Sequence, residues 1–196
     1  MDLSGPYRSV FDTMLPDAVQ IADPFHLVKL ANSKLDECRR RVQNETLGHR
    51  GHKDDPLYRC RRLLTRADER LAEKGRTKLL GLLDAGDPHG EVRAAWHAKE
   101  VVRSIYEHHD PKLAVAFVER LGKDLQDRSC PEEVRSLGRT LIRWKEQIAA
   151  WHRAHLSNGP TEAVIIRSGL RACDRRHPRP SGVRCRPRRG RVLCSA

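Results

Sequence analysis

The chain has 196 residues, 38% of them hydrophobic, 5% aromatic and 33% charged, with a formal net charge of +12. That length suits one ordinary domain, and no apolar run approaches the roughly 18 residues that a membrane span needs. The opening stretch, MDLSGPYRSVFD, lacks the basic-then-apolar pattern of a signal peptide, so a cytoplasmic location is expected.

Residues 17–22, DAVQIA, form a short apolar run between LP and DP, which predicts a buried strand. Asp23-Pro24 then predicts a helix N-cap followed by proline at the first helical position. Val28, Ala31, Leu35, Cys38 and Val42 follow at spacings of 3 and 4, one buried stripe of a long helix. LGHRGHKDDP, residues 47–56, is rich in turn formers and predicts a loop. From Pro56 to about Lys74 the positions Leu57, Leu63, Leu64, Ala67 and Leu71 predict a second helix, with a short one after it over Thr77–Leu83.

DAGDPHG breaks the chain again. Val92, Ala95, Trp96, Val102, Ile105 and Tyr106 predict the next helix. Asp110-Pro111 separates it from another, marked by Leu113, Phe117, Leu121 and Leu125. SCPEEVRSLG opens the clearest helix: Ser129 or Cys130 can cap it, and Glu132 and Glu133 complement its dipole. Its stripe, Val134, Leu137, Leu141, Trp144, Ile148 and Trp151, runs on to His155, and Asn158-Gly159 ends it. Pro160 can begin a further helix, PTEAVII. Residues 24–156 therefore read as almost wholly helical, and a single strand beside them needs a partner layer.

The positive charge is uneven. From Ile165 to Ala196 ten arginines meet a single acid, Asp174, which accounts for +9 of the total. Such an excess points to a polyanion, usually nucleic acid, although a tail-borne excess is weaker evidence than a basic face on a folded domain. Cys38, Cys60 and Cys130 stand alone within helical patterns, as buried free thiols do. Cys173, His177, Cys185 and Cys194 give C-x3-H-x7-C-x8-C, which matches no standard zinc spacing, so no zinc is expected there.

Three acids stand where chemistry is conceivable: Asp2, Asp23 and Glu162. Phosphoryl transfer on DNA commonly uses two divalent metals held by carboxylates, and hard cations such as magnesium want oxygen ligands. Each acid also has a plain structural reading. Asp2 is near a terminus, Asp23 is a helix cap, and Glu162 sits three residues after a Gly159 cap, where glutamate is favoured in any case. His26 follows Asp23 on the same helix turn. His152 and His155 are also three apart, but two histidines without a third ligand are a weak metal signal.

The stretches DLSGPYRSVFDTMLPDAVQIADPFHLVKLAN, RRRVQNETLGHRGHKDDPLYRCRRLLT and WHRAHLSNGPTEAV resemble the ISL-type insertion-sequence transposases. These are bacterial DDE enzymes with a ribonuclease-H-like catalytic fold, and the likeness covers about residues 2–164. It implies that Asp2 is the second catalytic aspartate and a metal ligand. Asp23 and His26 match the family's D-x-x-H motif and would support the metal site from behind its ligands. Glu162, in SNGPTE, would be the catalytic glutamate and the other metal ligand. The implied cofactor is Mg2+ in a two-metal site, the implied partner is transposon-end DNA, and assembly into a homo-oligomer is left open.

The expected fold class is mostly α, a helical insertion attached to the remnant of a ribonuclease-H-like α/β core. On this reading residues 1–24 are the core remnant, 25–156 the helical insertion, 157–170 the start of the catalytic final helix and 171–196 a disordered arginine-rich tail. The family's first catalytic aspartate lies upstream of anything in this chain, so the chain alone is expected to be inactive. After Val164 the family continues in a lysine-containing basic helix, whereas this chain reads IIRSGLRACDRRHPRPSGVRCRPRRGRVLCSA. Ten arginines without a lysine fit a reading-frame shift near Val164, favoured because the break falls inside a catalytic helix. The alternative is a non-catalytic helical protein that binds nucleic acid through a genuine arginine-rich arm.

Overall fold

Asp23 opens the first long helix as its place before Pro24 predicts. The computed structural model describes residues 10, 12–15, 17, 19–107 and 110–154, all within the first of the two units into which the chain divides, Met1–Ser157 and Asn158–Ala196. Helix α1 runs Pro24–Leu47 and ends at Gly48, whose φ of 71° lets its N–H reach back to the Asn44 carbonyl. Its buried stripe is Leu27, Ala31, Leu35, Cys38 and Val42. Leu27 is buried at the start of the stripe where Val28 was predicted, and Val28 is half-buried.

Helix α2 spans Pro56–Leu64, α3 Glu73–Gly86 and α4 Glu91–Ser104. Single 3₁₀ turns sit at Asp68–Arg70 and Ile105–Glu107. Helix α5 is Pro111–Asp124, α6 Glu132–Arg143 and α7 Lys145–Ala154. Residues 12–14 are helical as well. Helix α1 packs along α4 and α6, α2 pairs with α3, and α5 lies against both α6 and α7. One contiguous core joins these layers, with Trp96 and Trp144 its largest fully buried side chains.

Several expectations are corrected. Residues 17–22 are not a strand: among the described residues there is none, and Val19 is 74% exposed. An extended segment becomes a strand only by pairing with another, and the segment is tied to a helix instead, through Ala22 N–H to the Gln147 carbonyl at 3.0 Å. The helix predicted from Pro56 to Lys74 stops at Leu64, where Lys99 takes up the Leu64 and Arg66 carbonyls. Helix α6 has Pro131 at its N-cap with no side-chain cap, so neither Ser129 nor Cys130 serves. Ser129 is turned instead toward Asp127, which accepts from both its N–H and its hydroxyl.

The long final helix is two helices. The backbone at Trp144 turns to φ −107°, ψ 11°, between α6 and α7. Val134, Leu137, Leu141, Trp144 and Ile148 are nevertheless buried as predicted, whereas Trp151 is only partly so. Along the N-terminal approach Val10, Met14, Leu15, Val19 and Phe25 are exposed. No helix among the described residues is long and apolar enough to cross a membrane.

Candidate functional site

The start of α1 gathers the sequence-predicted residues that lie within the described structure. Asp23 has extended backbone, φ −72° and ψ 130°, and its Oδ1 accepts the Phe25 N–H at 2.8 Å. Its own carbonyl accepts from His26 and Leu27. The carboxylate is therefore locked by the helix terminus, and the residue is only 4% exposed. His26 lies on the same turn, half-buried, its ring edge-on to Phe25 at 5.6 Å.

A group of aromatic rings packs close by. Tyr106, in the 3₁₀ turn after α4, meets Trp151 edge-on at 5.0 Å and stacks nearly parallel to His152 at 5.8 Å, with 14° between the planes. Burial pushes the Tyr106 phenol well above its ordinary value, and the negative charge of Asp23 pushes it further. The Tyr106 hydroxyl is buried with no hydrogen-bond partner among the described residues. His152 is buried against this group; His155, which the sequence sets beside it, lies outside the described residues.

Asp2 and Glu162, the two proposed metal ligands, also lie outside the described residues. Among those described, no three His, Cys, Asp or Glu side chains converge where a metal could sit. Asp23 and His26 offer one carboxylate and one imidazole, which is fewer donors than a magnesium site takes from oxygen ligands. Two thiols are ruled out as nucleophiles: burial pushes Cys38 up to about 12 and Cys60 to about 11, which keeps both protonated at neutral pH.

The cations fall into two classes. One class is committed to acids. Arg41 grips Glu133 of α6 through Nε at 2.8 Å and Nη2 at 3.1 Å, and also reaches Glu91 of α4 and Glu45 of its own helix. That clamp joins three helices, and it raises the Arg41 pKa, through Glu133 first and Glu91 second. Burial pushes Glu133 upward, but the Arg41 hydrogen bond and charge outweigh it and the carboxyl ends below its ordinary range. Arg103 forks onto Glu69, and Arg135 and Arg139 share Glu132.

Helix α2 is different. Leu57, Cys60 and Leu64 face the core, so Arg59 and Arg62 point away from it and are exposed, as is Arg66 just beyond the helix. None of the three forms an ion pair among the described residues, while the nearby acids are engaged elsewhere. Asp55 accepts from Gln43 and from the His52 N–H, Asp68 pairs with Arg76, and Glu69 pairs with Arg103. Asp54 is the exposed exception. This face was legible in YRCRRLLTR as arginines opposite an apolar stripe, with no acid three or four residues after Arg59 or Arg62.

The search of curated proteins and that of solved structures each found no match. A family model described as a transposase, of the ISL3 type, matches residues 1–167. That span holds the Asp23–His26 turn, all the helices described above and most of the chain, and the chain belongs to the ISL3-type family of DDE transposases.

Proposed function

We propose that the protein is a DDE-type transposase chain acting on transposon-end DNA, with Asp2 and Glu162 as ligands for Mg2+ on a ribonuclease-H-like core. The observation that carries this is the family match over residues 1–167, which includes both acids. When bound, paired magnesium ions would activate water and then a DNA 3′-hydroxyl for in-line attack on phosphodiesters. Asp23 and His26 would act from behind the ligands. What supports their part is a buried carboxylate held in one orientation by the Phe25 N–H, with the imidazole on the same turn. A fixed negative group of this kind orients neighbouring ligands and tunes their basicity.

The helical body would hold transposon-end DNA or a second copy of the chain. The 196 residues offer two of the three carboxylates that such a site uses, so alone they are expected to bind end DNA without cutting it. Ligand placement matters steeply, since an error of about 1 Å can cost about 10²-fold in rate. The test is strand nicking of transposon-end DNA with magnesium or manganese, for this chain and for Glu162→Gln. Nicking that Glu162→Gln abolishes would overturn the expected inactivity and support the metal role. Absence of any affinity for DNA would overturn the transposase reading as a whole.

A further inference from the structure

We propose that the outward face of α2, made of Arg59 and Arg62 with Arg66 beyond its end, is a docking surface for the phosphate backbone of duplex DNA; this rests on the transposase reading above. The first argument is the cation pairing. Among the described residues Arg39, Arg40, Arg41, Arg76, Arg93, Arg103, Arg135 and Arg139 hold acids, whereas these three, all exposed and close together in the chain, hold none. Solvated cations on one helix face, with the neighbouring acids diverted, leave a local field that suits a polyanion.

Spacing supplies the second argument. Thr65 keeps right-handed helical backbone, φ −80° and ψ −14°, so the three arginines continue one stripe. At a rise of about 1.5 Å per residue the stripe is about 10 Å long. Along one strand of B-DNA the phosphates are about 3.4 Å apart in axial rise, so the stripe faces about three of them. Arginine's planar fork suits phosphate oxygens.

The helix is also held firmly for such a task. Its C-terminal carbonyls, which would repel a phosphate, are taken up by Lys99: Nζ donates to the Leu64 carbonyl at 2.8 Å and to the Arg66 carbonyl at 2.7 Å. Arg61 is not part of the stripe. It lies over the Tyr58 ring at 3.8 Å and donates to the Tyr58 carbonyl, bracing the helix side.

The experiment compares the full chain with the triple variant Arg59→Gln, Arg62→Gln, Arg66→Gln for binding to a short random-sequence duplex across a salt series. Each lost phosphate contact lowers the log–log salt slope by about 0.9, so a fall of about 2–3 is expected. The paired-arginine variant Arg135→Gln, Arg139→Gln should keep the slope of the unchanged chain. An equal slope for the triple variant, with its melting temperature unchanged, overturns this proposal and leaves the transposase reading standing. No binding of DNA by the unchanged chain overturns that reading and this proposal with it. A triple variant that loses binding to poly-glutamate but not to the duplex assigns the face to an acidic protein and also overturns the proposal.

Discussion

Gly122 of α5 and Gly138 of α6 face each other where the two helices cross. A Cβ built on Gly138 would stand 2.9 Å from the Gly122 carbonyl oxygen and 3.0 Å from the Leu125 Cβ; one on Gly122 would stand 2.7 Å from the Ile142 Cδ1. The crossing is therefore set by backbone against backbone, and it fixes how α6, with its Arg41-bound Glu133, approaches α1.

Replacing Gly138 by alanine sets two effects against each other. Helix propensity gains about 1 kcal/mol, while overpacking a tight contact costs about 1–3 kcal/mol. The obstacle is a carbonyl oxygen, which cannot rotate aside as a side chain does. The expected result for Gly138→Ala is a net loss of up to about 2 kcal/mol in urea unfolding. A gain in stability would mean that the helices part easily.

Lys99 has a buried side chain, 0% exposed, and donates to two carbonyls at the end of α2, with Glu100 beside it as counter-ion. Burial lowers its pKa, and Glu100 only partly offsets that. Lys99→Met keeps the length and removes the donor. Two acceptors, the Leu64 carbonyl buried and the Arg66 carbonyl partly so, then lose this donor, at about 1–3 kcal/mol for the buried one, against relief of the buried charge. The acceptor cost should prevail, because Glu100 already offsets part of the cost of the buried charge. The expected loss is about 1–2 kcal/mol, and hydrogen exchange should show residues 64–72 opening first. Uniform protection across that segment would show that Lys99 does not define the helix end.

What the sequence could show divides by range. Asp23-Pro24 and Asp110-Pro111 both cap helices through their own carboxylates, to Phe25 N–H and to Lys112 N–H, and both are legible because the cause lies within two residues. The break after Leu64 was not legible. Leu64, Ala67 and Leu71 keep helical spacing through it, and the group that takes up the carbonyls at the break is 33–35 residues away. The same holds at Trp144, where the stripe continues across the break. The residues 17–22 mislead for a related reason: apolar character marks burial, but only a pairing partner makes a strand. In the candidate site, Asp23 and His26 were found by motif. The effect of Asp23 on Tyr106, and the packing of Tyr106 on Trp151 and His152 of α7, depend on how distant segments meet, which no local pattern encodes.

The Glu69–Arg103 pair should make a small acid-dependent contribution. The Arg103 hydrogen bonds hold the Glu69 carboxyl down to about 2 from an ordinary 4.5. The folded pKa is depressed, so between these values the unfolded chain binds the extra proton and stability falls as the pH falls. Glu69 is 61% exposed, and an exposed pair is screened, so the contribution is less than about 1 kcal/mol. Relative to Glu69→Gln, the unchanged chain should be slightly more stable above pH 4.5, and the gap should close by about pH 2. Added salt should shrink the gap at neutral pH. A gap that stays constant over this range would place the pair's contribution in packing rather than charge.

Asp23 is both a helix cap and a candidate support for the metal site, and two substitutions separate those parts. Asparagine keeps a side-chain oxygen for the Phe25 N–H and removes the charge; alanine removes both. Loss of an N-cap costs about 0.5–2 kcal/mol, whereas asparagine caps about as well as aspartate. Asp23→Ala should therefore lower the stability by about 1 kcal/mol. Asp23→Asn should match the unchanged chain within about 0.5 kcal/mol, the range of substitutions that touch no such feature. The charge has its own readout. The Tyr106 phenol is raised by burial first and by Asp23 second. Asp23→Asn should bring its titration down part of the way and still leave it above the ordinary tyrosine range, as followed by ultraviolet absorbance. Equal losses of stability for both variants would mean that the negative charge itself, rather than the cap, holds the start of α1 in place.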